Sequence, residues 1–322
     1  MNILITGGLG YIGSHVAKLL KKKSVIIDNQ SNSRLNYKKY LPEATVYLSN
    51  LNKVILDRVF KKHDIKGVIH LAGLKAVNES VSYPLKYYEN NISSSITLLE
   101  AMNKFKINKL IFSSSATVYG NQNSSPLKEN MGLQMVSPYS NSKIIIEQLI
   151  SDYAKSNSQF CALSLRYFNP LGADVKAGLA EQPLGEPQNL MPILVRSVQK
   201  KKIFKIFGNN YPTPDGTCIR DYIHVKDLSV AHVTAFKRLH QFPGHRAINL
   251  GLGKGASVLE IIRLFEKVNG LKVRYQIIGR RKGDIAISIA SNQLAKKILG
   301  WKPQYSYQDM VKDSWNAYKN HK

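Results

Sequence analysis

The strongest constraint on this chain stands at its beginning. An apolar strand pattern, Asn2-Ile3-Leu4-Ile5-Thr6, runs straight into Gly7-Gly8-Leu9-Gly10-Tyr11-Ile12-Gly13. Glycines 7, 10 and 13 form G-x-x-G-x-x-G at a strand-to-helix turn. Such a turn lets backbone N–H groups approach a pyrophosphate, whose charge the positive end of the following helix favours. Gly13, one turn in, lets that helix lie close on the sheet. The next strand pattern ends at Asp28. A carboxylate there accepts hydrogen bonds from both hydroxyls of an adenosine ribose and repels a 2′-phosphate, which favours NAD over NADP. The plainer alternative is that Asp28 only starts a turn with Asn29.

The rest of the first half repeats the strand-then-helix rhythm. Apolar runs fall at 3–6, 25–28, 45–48, 67–70, 110–113 and 161–166, with helical periodicity at 11–20, 53–61, 92–105 and 143–155. Strands alternating with helices predict a parallel sheet covered on both faces, and right-handed crossovers make it doubly wound. Beyond about residue 170 the pattern changes. Pro and Gly punctuate 169–192 and 208–216, and helical periods return at 227–240, 258–268 and 292–299. The expected division is a Rossmann-type dinucleotide domain over 1–170, with about 217–250 returning to it. A smaller C-terminal α/β substrate-binding lobe takes 171–216 and 251–322.

Composition narrows the class. With 43% hydrophobic and 21% charged residues the chain is neither disordered nor membrane-embedded, and it has no apolar run of the ~20 residues a membrane helix needs. The N-terminus enters a strand at once, which leaves no room for a signal peptide. Cys161 and Cys218 make neither a disulfide framework nor a metal-ligand spacing. The expectation is a reduced, cytoplasmic protein without metal. Lys and Arg outnumber Asp and Glu by 46 to 21, a formal +25 that would attract polyanions. The cations are scattered in groups such as Lys21-Lys22-Lys23 and Lys200-Lys201-Lys202, and no helix-turn-helix, zinc-finger or RNP-like pattern accompanies them. A solvated lysine-rich surface is the reading, rather than a nucleic-acid site.

Tyr139 and Lys143, spaced i, i+4 at the start of a helical stretch, share one helical face. A free tyrosine ionises near pH ~10. To serve as a base near neutrality it needs a neighbouring cation, which the ammonium and a bound nicotinamide can supply. Spacing alone decides nothing, because Tyr222/Lys226 and Tyr318/Lys322 repeat it. Context separates them. The Tyr139 pair follows Phe112-Ser113-Ser114-Ser115-Ala116-Thr117-Val118-Tyr119-Gly120, the end of a strand, and open parallel sheets carry their chemistry beyond the carboxyl ends of strands. Ser115 there is placed to bond a substrate hydroxyl and relay its proton.

The order of these features, with GGLGYIGSH at 7–15, IDNQSNS at 27–33, VIHLAGLKAVNESV at 68–81 and FSSSATVYG at 112–120, resembles the extended short-chain dehydrogenase/reductases. SPYSNSK at 137–143, LRYFNPLGA at 165–173, NLMP at 189–192 and RDYIHVKDL at 220–228 extend the resemblance over nearly the full length, and LAGLKAV at 71–77 and RYFNP with NLMP point to the UDP-glucose 4-epimerase branch. The resemblance implies a UDP-hexose substrate, tightly held NAD, a transient 4-keto sugar and a homodimer. It places Ser115, Tyr139 and Lys143 at the chemistry. Tyr11, Ile12, Asp28, Asn29, Asn32, Ser33, Asn50 and Leu51 would line the NAD site, with Leu71, Ala72, Gly73, Lys75, Asn90 and Phe168. Lys75, Ser115 and Tyr139 would also meet the sugar. Asn169, Asn189, Leu190, Lys205, Ile206, Phe207, Arg220, Arg281, Asp284 and Ser288 would hold the UDP-hexose. Two arginines suit a doubly charged pyrophosphate, Phe207 a uracil face and Asp284 ribose hydroxyls. The plain alternative for Arg220 is an ion pair with Asp221 or another acid. The dimer is expected through the helices over 92–105 and 143–155, with Ile92, Ile96, Leu99, Met102, Ile146, Leu149 and Ile150 at helical spacing.

Two departures stand out. Ser49-Asn50-Leu51 replaces the family's Gly-Asp-Ile or Gly-Asp-Leu, so adenine would meet an amide carbonyl without charge assistance. Ser288 stands where many members carry a bulky side chain near C2 of the hexose, a change that would admit N-acetylated sugars. A 4,6-dehydratase is set aside because Val118-Tyr119, not an acid pair, follows Thr117. The remaining alternatives are a UDP-hexuronate epimerase and a non-catalytic NAD-binding scaffold that contacts nucleic acid.

Overall fold

The computed structural model describes residues 2–122, 125–281 and 283–319. Six strands open the chain: β1 (Asn2–Thr6), β2 (Ser24–Asp28), β3 (Thr45–Leu48), β4 (Ile65–His70), β5 (Lys109–Ser115) and β6 (Cys161–Tyr167). With the strand Gly244–Leu250 they form one seven-stranded sheet in the order Gly244–Leu250, β6, β5, β4, β1, β2, β3. The pairs β1/β2, β1/β4, β2/β3 and β4/β5 are parallel. Strand order therefore reverses between β1 and β4, the switch point beside which ligands of such sheets bind.

The chain divides into two units, the first made of Met1–Gly120, Gly132–Arg166 and Ser229–Ile248. Its strands alternate because successive side chains point to opposite faces. Leu4, Val25, Ile27, Val68, Leu110, Phe112 and Ala162 face one core cluster, which the helices Lys53–Lys62, Ser94–Lys104 and Pro138–Ser156 cover with Leu56, Val59, Leu98, Met102, Ile146 and Ile150. Burying this many large side chains, at about 1.5–3 kcal/mol each, is what fixes those helices on the sheet. Four residues expected at a subunit interface, Leu99, Met102, Ile146 and Ile150, thus belong to this core, while Ile96 is 40% exposed.

The second unit contains Asn121–Met131, Tyr167–Leu228 and Asn249–Lys322. Its own core joins Leu194, Val195, Ile206, Ile262, Phe265, Met310 and Val311, from the helices Leu190–Gln199, Val258–Asn269 and Tyr307–Lys319 and the strand Phe204–Phe207. The return to the first unit begins at Ser229, inside the helix Val225–Arg238, whereas the sequence suggested about residue 217. The expected helix over 292–299 is a π-turn, Ala295–Leu299, closed by Gly300 in the left-handed region.

Candidate functional site

In the first unit β1 ends in the glycine turn. Gly7 has φ +72°, and a Cβ there would stand 2.7 Å from the Ala72 nitrogen. At Gly13 a Cβ would stand 2.2 Å from the Gly7 carbonyl oxygen. Gly7 is blocked by the chain following β4, where the Leu71 N–H donates to the Thr6 carbonyl at 2.9 Å, and Gly13 by the backbone of Gly7 and Gly8 in the turn itself. Gly10, which has no side chain to cap with, stands in extended backbone at the N-cap of the helix Tyr11–Leu20. That is the form of cradle a pyrophosphate fits.

Asp28 is bound into the same turn. Its carboxylate accepts from the Leu9 N–H at 2.9 Å and the Gln30 N–H at 2.7 Å. Burial raises its pKa, and these backbone bonds pull the other way. Both readings of Asp28 therefore have a physical basis: it braces the glycine loop, and it still has lone pairs for ribose hydroxyls. Ser33 donates to the Leu9 carbonyl at 2.9 Å. The Asn50 carbonyl oxygen, the expected adenine acceptor, takes the Asn29 amide at 2.7 Å.

Beyond β4, Gly73 and Lys75 are exposed and Leu71 and Ala72 half-buried. Asn90 is exposed, whereas its neighbour Asn91 is buried and clasps this loop. Its Oδ1 accepts from the Leu74 N–H at 2.8 Å, and its Nδ2 donates to Leu74 O and Ser142 Oγ, each at 3.1 Å. Sequence reasoning passed over Asn91, because two adjacent asparagines look alike until a helix turns one inward.

Ser115 closes β5 and caps a short 3-10 turn, Ala116–Tyr119; its hydroxyl accepts from the Thr117 N–H at 3.2 Å and hydroxyl at 3.0 Å. The helix Pro138–Ser156 starts with a Ser137/Ser140 capping box and Pro138 in its first turn, which sets Tyr139 at its very beginning. The Ser115 side chain acts on the Tyr139 phenol and lowers its pKa. Lys143 lies one turn on, with Nζ donating to the Ser113 carbonyl at 2.8 Å and 5.8 Å from the centre of the Tyr139 ring. Burial pushes the Tyr139 phenol up, against the pull of Ser115, and pushes Lys143 down to about 8, with Glu147 acting against that shift. Desolvation thus drives both groups toward neutrality; a further positive charge beside them would favour the Tyr139 phenolate while pushing Lys143 down further.

Glu147 extends this face by another turn. It holds Arg166, whose Nε donates to Oε1 at 2.9 Å and whose second nitrogen reaches Oε2 at 2.5 Å. Ser114 donates to Glu147 at 2.5 Å, and Arg166 donates to the Tyr119 hydroxyl at 3.1 Å. One buried ion pair therefore ties β5, the serine turn, β6 and the Tyr139/Lys143 helix together. Periodicity could have flagged Glu147, a charged residue at i+4 from Lys143.

In the second unit the strand Ile219–Arg220 lies between Ala256–Ser257 and Ile287–Ser288, with Arg220 level with Ser288. Asp221 does not pair with Arg220; its buried carboxylate takes the N–H groups of Leu252, Gly253 and Ala290 at 2.7, 2.9 and 3.1 Å. Arg220 instead lies 3.7 Å from Asp284. The Arg281 guanidinium stacks 3.6 Å from the centre of Phe207, the face expected for uracil. Lys205 is exposed, but Ile206 is 1% exposed within the core, so only its backbone can meet a ligand. Ser288 is 7% exposed. Asn189 precedes the helix Leu190–Gln199, and Leu190 packs partly against the core. Phe168 is buried, with its N–H on the Leu250 carbonyl, and Asn169 is exposed.

The other Tyr/Lys pairs are not alike. Tyr222 lies in the strand Tyr222–His224 and Lys226 in the helix Val225–Arg238, while Lys322 lies outside the described residues. Among the described residues no helix could cross a membrane, and no group of three or more His, Cys, Asp or Glu could hold a metal.

Residues 3–251 match the model of the NAD dependent epimerase/dehydratase family. The UDP-glucose 4-epimerase of Bacillus subtilis is 44% identical, covering 99% of each chain. The crystal structure of the Stenotrophomonas maltophila UDP-glucose-4-epimerase, with bound NAD and formylated UDP-arabinopyranose, aligns at TM-score 0.96 and 40% identity over 100% of this chain and 98% of that one. That of the Bifidobacterium longum enzyme with NAD+ and UDP aligns at 0.94 and 38%, over 99% and 98%.

Proposed function

The chain belongs to the NAD dependent epimerase/dehydratase family, and from that premise we propose that it interconverts UDP-hexoses epimeric at C4, through a 4-keto sugar, with NAD as cofactor. The observation that carries this is the Ser115–Tyr139–Lys143 cluster at the carboxyl end of β5, in the unit that also holds the glycine cradle. Gly7 and Gly13 let the turn close into the cradle for the dinucleotide phosphates, and Asp28 takes the ribose. A dinucleotide held by the Gly7–Gly13 turn and Asp28 would supply the hydride acceptor and donor for C4 and a positive charge beside the phenol. Tyr139 removes the 4-hydroxyl proton, directly or through Ser115, and Lys143 stabilises the phenolate. Arg220 and Arg281 hold the pyrophosphate, so the freed keto sugar can present its other face before the proton returns. The test is to incubate the NAD-loaded protein with UDP-galactose, UDP-GlcNAc and UDP-glucuronate and resolve products by NMR. UDP-glucose should form from UDP-galactose; conversion of UDP-glucuronate alone would favour the hexuronate reading.

Ser288, level with Arg220 and small, supports acceptance of UDP-GlcNAc and UDP-GalNAc as well. Forcing a substituent against a packed wall costs about 1–3 kcal/mol. Ser288→Tyr should therefore lower kcat/KM for UDP-GlcNAc by roughly 5- to 150-fold and spare UDP-galactose; a wild type that rejects UDP-GlcNAc ends the idea. A homodimer fits the exposed apolar residues Val81 (64%), Leu85 (80%) and Ile96 (40%), near the expected helices. Light scattering should give twice the chain mass of 36.2 kDa, and a monomer at micromolar concentration would refute it.

A further inference from the structure

Asn189 occupies the N-cap of the helix Leu190–Gln199, with the extended backbone (φ −86°, ψ 151°) of that position, yet its side chain makes no capping bond. Asparagine is a preferred cap because its carbonyl oxygen accepts a first-turn N–H. Pro192 offers none, but Met191 does. The side chain is held elsewhere: Nδ2 donates to Glu181 Oε1 at 2.6 Å. Glu181 is 6% exposed, and the Tyr318 hydroxyl donates to its backbone carbonyl, which anchors it to the helix Tyr307–Lys319. A carboxylate only accepts, so the group of Asn189 that faces it is the amide NH2, and Oδ1 must turn away from Glu181.

We propose that Glu181 is a positioning residue for nucleotide-sugar binding: it withdraws Asn189 from helix capping and fixes Oδ1 as an acceptor for a hydroxyl of the bound sugar. The proposal deepens the function above and rests on reading Asn189 as a substrate residue. Helix stability is given up for a ligand-facing acceptor, the trade expected of a binding site.

Steady-state kinetics of the NAD-loaded protein with UDP-galactose, and thermal melts, test it together. Glu181→Ala frees Asn189 to cap the helix, so Tm should hold or rise. KM should increase about 3- to 10-fold, the scale of one neutral hydrogen bond, with kcat little changed. A lowered Tm with KM unchanged would mean a purely structural role and overturn the proposal. Should that variant fail to fold, Glu181→Met decides, since it fills a similar volume without an acceptor for the Asn189 amide: a severalfold rise in KM supports the proposal and an unchanged KM overturns it. A wild type that does not turn over UDP-galactose would sink the functional reading instead, leaving the two failures distinct.

Discussion

Two tyrosine–lysine pairs with the same spacing end in unlike places. Tyr139 and Lys143 lie on consecutive turns of one helix, where Lys143 is 4% exposed and bonded to the end of β5. Tyr222 and Lys226 straddle a strand–helix junction: Tyr222 is 2% exposed in the core of the second unit, and Lys226 pairs with Asp313 at 3.1 Å while capping the Tyr305 ring at 4.4 Å. A spacing of four brings side chains onto one face only if the intervening backbone is helical. Ser115, at a strand terminus, also pulls the Tyr139 phenol down, whereas Tyr222 meets Tyr307 edge-on. Equal spacing thus gives a tyrosine and a lysine on one buried helical face in one unit and a packing element in the other.

The sharpest way to break this contrast is to remove each phenol. Tyr139→Phe should lower kcat by ~10²–10⁴, the usual range for a general base, with NAD and UDP binding kept within a few-fold. Tyr222→Phe should keep kcat within about threefold of wild type, since no base is lost. Turnover above a tenth of wild type in Tyr139→Phe would show that another group takes the proton.

A smaller difference is expected behind the two lysines. Glu147 and Arg166 are 5% and 6% exposed, so Glu147→Ala strands a buried guanidinium and should cost about 3–5 kcal/mol in denaturant unfolding. Asp313, 21% exposed beside Lys226 and His224, should cost only about 1 kcal/mol when replaced by alanine. Equal losses would mean that the Glu147 pair is no more integral than the one at Asp313.

The smallest effect is a change of slope with pH. Burial holds folded Lys143 at about 8, below the 10.5 of an exposed lysine, so between these values the unfolded chain binds more protons. Stability carried by Lys143 therefore rises with pH through that window, by at most about 1.4 kcal/mol per pH unit. Lys226 runs the other way: its desolvation is outweighed by Asp313, its pKa is raised, and its contribution is lost as pH climbs past the unfolded value. Unfolding midpoints from pH 8 to 10 should diverge from wild type with pH for Lys143→Met and run parallel to it for Lys226→Met, whose window opens only above the unfolded value; parallel curves for both would remove the distinction.

Much of the first unit was legible because its signals are local. Alternating apolar runs follow from the two-residue period of strands, and the glycines at 7 and 13 from backbone approaches that no Cβ survives. The parallel α/β sheet, the NAD-type cradle and the Tyr139/Lys143 helix could be read from neighbours in sequence. What lay beyond reach depends on residues far apart. Glu147 meets Arg166 across 19 positions, Asp221 gathers N–H groups 31 to 69 positions away, and the helix Val225–Arg238 changes unit at Ser229. Asn91 rather than Asn90 turns inward, and the apolar faces of Met102, Ile146 and Ile150 go to their own sheet. Sequence by itself determined which elements form and where phosphate chemistry is possible, since propensity, period and turn sterics act within a few residues. Only the tertiary structure decided which polar groups pair when buried, because an unpaired buried charge is costly and its partner is whatever the fold brings within about 3 Å.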